Sequence, residues 1–230
     1  MTRARKAEYS LNINGKNMLM DRRRFELLKK IQNCGSIMNA SKKTGVPYRT
    51  ALKYIEVMEE TLGHGVVFTT RGGRGGGGGS KLSSLGRQII KEYTKIDKAL
   101  QKVSQANELS GKISLIEEEQ KVMHVDINGE DIILPINTDF EIGEDVILLI
   151  SPEDMIIMLE PHESSVRNII KGIIIGLSLQ NNMVKLEIEL SKHETLNVYV
   201  TQYSREKLKL DLGKMVFIGF KAVSLSLVKD

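Results

Sequence analysis

Eleven residues, Arg71-Gly72-Gly73-Arg74-Gly75-Gly76-Gly77-Gly78-Gly79-Ser80-Lys81, hold the clearest chemistry in this sequence. Glycines without Cβ let a backbone lie close to a phosphate chain, and the cations Arg71, Arg74 and Lys81 supply the attraction. A flexible Gly/Ser linker has a similar composition. A linker, however, needs no arginines and would not interrupt a hairpin, and here Val66–Thr70 reads as a strand with Lys81–Ser83 as its return.

The elements before that segment suit a nucleic-acid reader. Asp21 can cap a helix over Arg22–Asn33 whose apolar face is Phe25, Leu27, Leu28 and Ile31. Gly35-Ser36 ends it and starts a short second helix, which Gly45 breaks. Pro47 opens a third, where its missing N–H costs nothing. In that helix Ala51, Ile55, Met58 and Leu62 make an apolar stripe, and Tyr48, Arg49, Thr50 and Lys53 are the early outward residues. Two helices joined by a glycine turn, the second opening with polar and basic groups, form a helix-turn-helix pattern. From Ser84 a long helix is expected with Leu85, Ile89, Tyr93, Ile96, Leu100 and Val103 along one side. The spacing suits a helix–helix seam, and hence a homodimer, because one such domain contacts few base pairs.

Charge divides the 230 residues unevenly. Residues 1–110 hold 21 Lys/Arg against 9 Asp/Glu, and residues 111–230 hold 12 against 20, giving +12 and −8 within a net +4. A polyanion partner is expected for the first half and a different role for the second. The single Cys34 excludes an intrachain disulfide and fits a reducing, cytoplasmic setting. No apolar run is long enough to span a bilayer, so no membrane partner is expected. The four histidines and the ten methionines show no metal-ligand spacing. No nucleophile–base pair or other catalytic set is visible, so the chain is read as a non-enzyme.

Gly35-Ser36-Ile37, Gly45-Val46-Pro47-Tyr48-Arg49-Thr50-Ala51, the Gly72–Gly77 segment and Lys81-Leu82-Ser83-Ser84-Leu85-Gly86 resemble the winged-helix domain of the ModE family of molybdate-responsive transcriptional regulators, over about residues 8–105. The resemblance implies that Tyr48, Arg49, Thr50 and Lys53 meet bases or phosphates of double-stranded DNA, and that Arg71, Arg74 and Lys81 grip phosphates. Arginine's fork suits guanine edges, whereas lysine adds a salt-dependent, sequence-blind attraction.

After residue 110 periodicity changes to short strands. Asn128-Gly129 marks a hairpin between Val122–Ile127 and Ile132–Ile136. Further strands are expected at Val146–Ile150, Met155–Leu159, Val184–Leu190, Leu196–Thr201, Val216–Phe220 and Val223–Val228, forming small barrels. Ser164-Ser165-Val166-Arg167-Asn168, Thr201-Gln202-Tyr203-Ser204 and Lys221-Ala222 occur in the order of the Mop/TOBE fold that binds molybdate or tungstate, and resemble it over about residues 162–228. The resemblance implies an oxyanion site of Ser165, Arg167, Asn168, Thr201, Ser204, Lys221 and Ala222. A tetrahedral dianion presents only acceptors, so cations, hydroxyls and backbone N–H groups suit it. Residues 112–160 lack a Ser-x-Arg-Asn box and resemble the first half of the TOBE pair in transporter ATPases, without any Walker A sequence.

The expected organisation is α+β and multidomain. A winged helix-turn-helix with a dimerisation helix occupies 1–105, a linker 106–111, a first TOBE-like β subdomain 112–160, and an OB-like Mop/TOBE subdomain 161–230. The function this implies is a molybdate- or tungstate-sensing DNA-binding regulator. An intracellular oxyanion store, or a ligand-independent DNA-binding regulator with a vestigial β module, are the alternatives.

Overall fold

The computed structural model describes residues 8–70, 79–180, 182–190 and 194–230. The chain divides into two compact units, Met1–Leu100 and Gln101–Asp230.

The first unit opens with a hairpin that the sequence reading did not include, β1 (Glu8–Ile13) against β2 (Lys16–Asp21). Asn14 and Gly15 turn it with φ of 51° and 82°, the left-handed pair that a tight two-residue turn requires. Alternation puts Leu11, Ile13, Met18 and Met20 into the core. Helix α1 (Arg22–Cys34) starts where the Asp21 carboxylate accepts from the Arg24 N–H at 2.8 Å. Helix α2 (Ile37–Thr44) is capped by Ser36 and ends at Gly45, whose φ of 66° permits the sharp turn into α3 (Tyr48–Leu62). The expected stripe of α3 is buried throughout, as is the α1 face of Phe25, Leu27, Leu28 and Ile31.

A two-stranded sheet follows, β3 (Val67–Thr70) against β4 (Gly79–Leu82). Helix α4 (Ser84–Ser104) comes next. Leu85, Ile89 and Tyr93 join the core, and Ile96 packs partly against it. Tyr93 stacks on Phe25 with ring centroids 4.2 Å apart. Burial, aided by Tyr9 and Asp97, pushes its hydroxyl pKa up to about 12. Leu100 and Val103 remain exposed.

Among its described residues the second unit holds ten strands. They are β5 (Asn107–Glu117), β6 (Val122–Ile127), β7 (Glu130–Pro135), β8 (Asp145–Ile150), β9 (Met155–Met158), β10 (Asn168–Gln180), β11 (Met183–Glu189), β12 (Thr195–Val200), β13 (Met215–Phe220) and β14 (Ser226–Lys229), with a short helix α5 (Gln202–Leu208) after β12. One sheet has the order β14-β8-β5-β6-β7 and the other β12-β11-β10-β13-β9. Each half of the unit therefore lends a strand to the other, β9 forward and β14 back. One apolar core runs through both sheets. The division read at 160/161 consequently separates no independent layer.

Residues 106–111, read as a linker, instead begin β5, whose Asn107–Lys112 pairs with Ile150–Asp145. Their polar side chains alternate with buried Asn107 and Leu109, so the strand has one apolar face despite its composition.

The two sheets repeat one plan. Both β5 and β10 begin at a buried asparagine and carry a bulge, at Ile113/Leu115 and Ile174/Gly176. Gly111 and Gly172 lie where a Cβ would come within 2.6 Å of Val125 and 2.5 Å of Ile188 respectively. The Ile113 and Ile174 carbonyls accept from Gly143 and Gly213, each at 2.8 Å. Each asparagine clamps the opposite half. The Asn168 amide accepts from Ile133 N at 2.8 Å and donates to Ile133 O at 2.9 Å, and Asn107 makes the same pair of bonds to the Asn197 backbone at 2.7 and 3.0 Å.

Candidate functional site

In the first unit the candidate surface is the start of α3 together with the β3–β4 pair. Tyr48, Arg49 and Lys53 are exposed and Thr50 is half-buried. Pro47 precedes them, and its carbonyl accepts from Ala51 at 2.9 Å, so the first turn is regular. Lys53 donates to Glu56 at 2.8 Å. That hydrogen bond and the Glu56 charge raise the Lys53 pKa, leaving it fully cationic at any working pH. Lys81 is exposed on β4 opposite Phe68. Arg71 and Arg74 lie outside the described residues.

A residue the sequence reading passed over ties these pieces together. The Glu59 carboxylate, on α3, accepts from the Val66 and Val67 N–H groups at 2.7 and 3.1 Å. At the other edge Ser80 N donates to Gly35 O at 2.7 Å. The β3–β4 pair is thus held both to the candidate recognition helix and to the α1–α2 turn. Only the position of Glu59 beside the next strand could have signalled this, and glutamate in a helix is otherwise unremarkable.

In the second unit the sheet register decides which candidate residues meet. Asn168 pairs with Phe220, so Arg167 and Lys221 leave adjacent strands side by side at one end of the sheet. Gly219 helps: a Cβ there would come within 3.0 Å of Val166, so its absence lets the Ser165–Arg167 segment lie over β13. Ser165, Arg167 and Lys221 are exposed, and Ala222 is half-buried in a short 3-10 turn, Ala222–Ser224. Arg167 spends one N–H on Ser164 O at 2.8 Å. Neither Arg167 nor Lys221 has an acidic partner among the described residues. Both amide atoms of Asn168 bond Ile133 and the residue is 2% exposed, so its side chain is turned to that clamp.

Thr201 and Ser204 are placed elsewhere. Thr201 caps α5, accepting from Ser204 N at 3.1 Å and donating to Ser204 Oγ at 3.0 Å. It follows β12, whose Val200 pairs with Val184, which in turn pairs with Leu179. Leu179 lies at the opposite end of β10 from Asn168. One chain therefore presents the cations at one end of the sheet and the hydroxyl pair at the other.

His124 sits between Asp131, 2.9 Å away, and Glu117, 3.4 Å away, on the face of β6. His193 lies outside the described residues. No helix among the described residues is long and apolar enough to cross a membrane.

These features define a β module of the TOBE type following a helical unit, and the TOBE domain family matches residues 164–227. The whole chain is similar to the molybdenum transport protein ModE of Azotobacter vinelandii, at 27% identity over 97% of this chain and 71% of that protein. The DNA-binding transcriptional dual regulator ModE of Escherichia coli (strain K12) is 27% identical over 93% of this chain and 68% of its own length. Among solved structures, the cytoplasmic molybdate-binding protein ModG, with molybdate bound, shares the fold with a TM-score of 0.50 at 19% identity, covering 56% of this chain and 99% of its own. The similarity to proteins named ModE thus runs over nearly the whole chain, and the TOBE match lies within its second unit.

Proposed function

We propose that this protein is a cytoplasmic, homodimeric, non-catalytic transcriptional regulator that binds duplex DNA and senses molybdate or tungstate. The observation that carries the proposal is the Asn168–Phe220 pairing, which sets Arg167 beside Lys221, neither with an acidic partner among the described residues. Two cations match a dianion, and the Ser165 hydroxyl with backbone N–H groups at Asn168 and Ala222 adds donors. The family relatives are named as ModE regulators, which supports the same reading.

Completing the shell takes a second copy. Thr201 and Ser204 sit at the far end of the sheet from Arg167, so a neighbouring chain's hydroxyl pair is the one that can face these cations. Ligand binding then reports on how two chains pack. The apolar stripe of α4 supports dimerisation too, since Leu100 and Val103 continue it as exposed side chains beyond the core.

The first unit acts as a winged helix-turn-helix. Tyr48, Arg49, Thr50 and Lys53 meet the major groove and its phosphates, and Arg71, Arg74 and Lys81 contact the flanking backbone. DNA affinity responds to the oxyanion if the ion binds the DNA-competent packing of the dimer more tightly; a tenfold response needs about 1.4 kcal/mol of coupling. Isothermal calorimetry with molybdate, tungstate and sulfate tests the sensing half. Saturable heat with the two larger ions, abolished by Lys221→Ala, is expected, and no heat with any ion refutes it.

A further inference from the structure

Within the helical unit a cavity of about 560 Å³ opens among β1, α1, the end of α2 and α4. Small-molecule sites span ~300–1,000 Å³, so this one is of ligand size. Tyr9 and Tyr93 line it, with ring centroids 5.0 Å apart, and Phe25 stacks against Tyr93 at 4.2 Å. Tyr93 is 2% exposed, yet its hydroxyl has no hydrogen-bond partner among the described residues. A hydroxyl so far from bulk water is costly to leave unpaired, and this one belongs to a cavity wall. Its raised pKa keeps the proton in place, so toward an occupant it acts as a donor.

The charged lining favours an anion. Arg22, Arg23 and Lys30 come from α1 and Lys43 from the last turn of α2, against Glu26 and Asp97, so four positive charges and two negative ones leave +2. None of the four cations is in an ion pair among the described residues. A tetrahedral oxyanion would fill little of this space and offers nothing to the tyrosine rings. The occupant that matches both features is a flat organic anion, its ring against the tyrosines and its charge against the cations. Arg23 and Thr44, which also lines the cavity, are shared with a smaller neighbouring cavity of about 270 Å³ that Pro47, Thr50 and Tyr54 help to line. An occupant therefore abuts the turn that aims α3.

We propose that the helical unit holds a ligand site of its own for a small aromatic carboxylate, with Tyr9 and Tyr93 against the ring, the Tyr93 hydroxyl donating to an oxygen, and Arg22, Arg23, Lys30 and Lys43 as counter-charges. Every group comes from residues 9–97, so one chain completes the site. It shares no residue with the oxyanion site and stands whether or not that site binds molybdate. An occupant touching α1, α2 and α4 at once ties together the elements on which the recognition helix rests.

Equilibrium dialysis of the 230-residue chain against sodium 2-naphthoate, read by the naphthoate's own fluorescence, tests this. One naphthoate per chain is expected, with a Kd below about 1 mM and at least about tenfold tighter than for the neutral 2-naphthylmethanol. Tyr93→Phe keeps the ring and removes the hydroxyl, and should weaken binding about threefold or more. Arg22→Gln/Lys43→Gln, at two exposed positions, should weaken it about tenfold or more. Circular dichroism verifies that both variants are folded. Lys221→Ala and excess sodium molybdate should leave naphthoate binding unchanged. Absence of saturable binding, equal affinity for the neutral alcohol, unchanged affinity in either folded variant, or displacement by molybdate overturns the proposal. A chain that takes naphthoate but gives no heat with molybdate keeps this site and refutes only the oxyanion reading.

Discussion

Replacing Asn168 by alanine should weaken the second unit severely for a change that removes so few atoms. The side chain is 2% exposed, and both amide atoms bond the backbone of Ile133, at 2.8 and 2.9 Å. Two such bonds contribute about 1 kcal/mol each, and leaving the Ile133 N–H and C=O short of partners adds ~1–2 kcal/mol, for a total of about 3–4 kcal/mol. With a urea dependence of about 2 kcal/mol per molar, the transition of this unit should move down by about 1.5–2 M. Hydrogen-exchange mass spectrometry of the full chain during urea unfolding follows the unit through peptides from β7 and β10. Asn168→Asp, which keeps one acceptor but loses the donor, should fall between. A loss below about 0.5 kcal/mol, or unchanged protection at Ile133, would refute the view that this residue clamps the two halves together.

Other outcomes follow from contacts described above. Glu59→Ala removes the acceptor for Val66 and Val67, so their amides should exchange faster and DNA affinity should drop about tenfold, measured by fluorescence anisotropy. Lys53→Ala should lower the slope of log affinity against log salt by about 1 and weaken binding similarly across sequences, whereas Arg49→Ala should also relax sequence preference. The Glu144 carboxyl is held below the usual carboxylate range, first by the Glu141 N–H and then by Lys229. Its folded pKa lies under the unfolded one, so the tie to β14 is complete above about pH 4.3 and is lost as pH falls through the folded value. Glu144→Gln should remove that acid-side loss of protection in β14, read by hydrogen exchange between pH 6 and pH 3.

Much of the helical unit was legible because its signals are local. Asp21, Ser36, Gly45 and Pro47 mark helix ends through their own side chains or dihedral freedom, and the Ala51–Leu62 stripe shows its period directly. The β1–β2 hairpin turns on Asn14-Gly15, the same local signal as Asn128-Gly129, but it lies in a stretch dominated by basic residues. Helix α5 has a weak signature, because Thr201 and Ser204 suit an oxyanion as well as they suit a helix cap and first turn. The exchange of β9 and β14 has no local signature, since strand pairing across most of a domain depends on the packing of both sheets. The candidate site shows the same split. Each ligand-type residue could be picked out in the sequence, but only the register shows that Arg167 meets Lys221 and that Thr201 lies at the other end.

The central claim is that one chain couples a small dianion to duplex recognition. The measurement that addresses it most directly is the affinity of the 230-residue chain for a duplex it has itself selected from a genomic library, determined with and without saturating molybdate. A change of about tenfold or more is expected, absent in Lys221→Ala while that variant's ligand-free affinity stays the same. Equal affinities with and without the ion, in a protein that demonstrably binds both, would contradict the account.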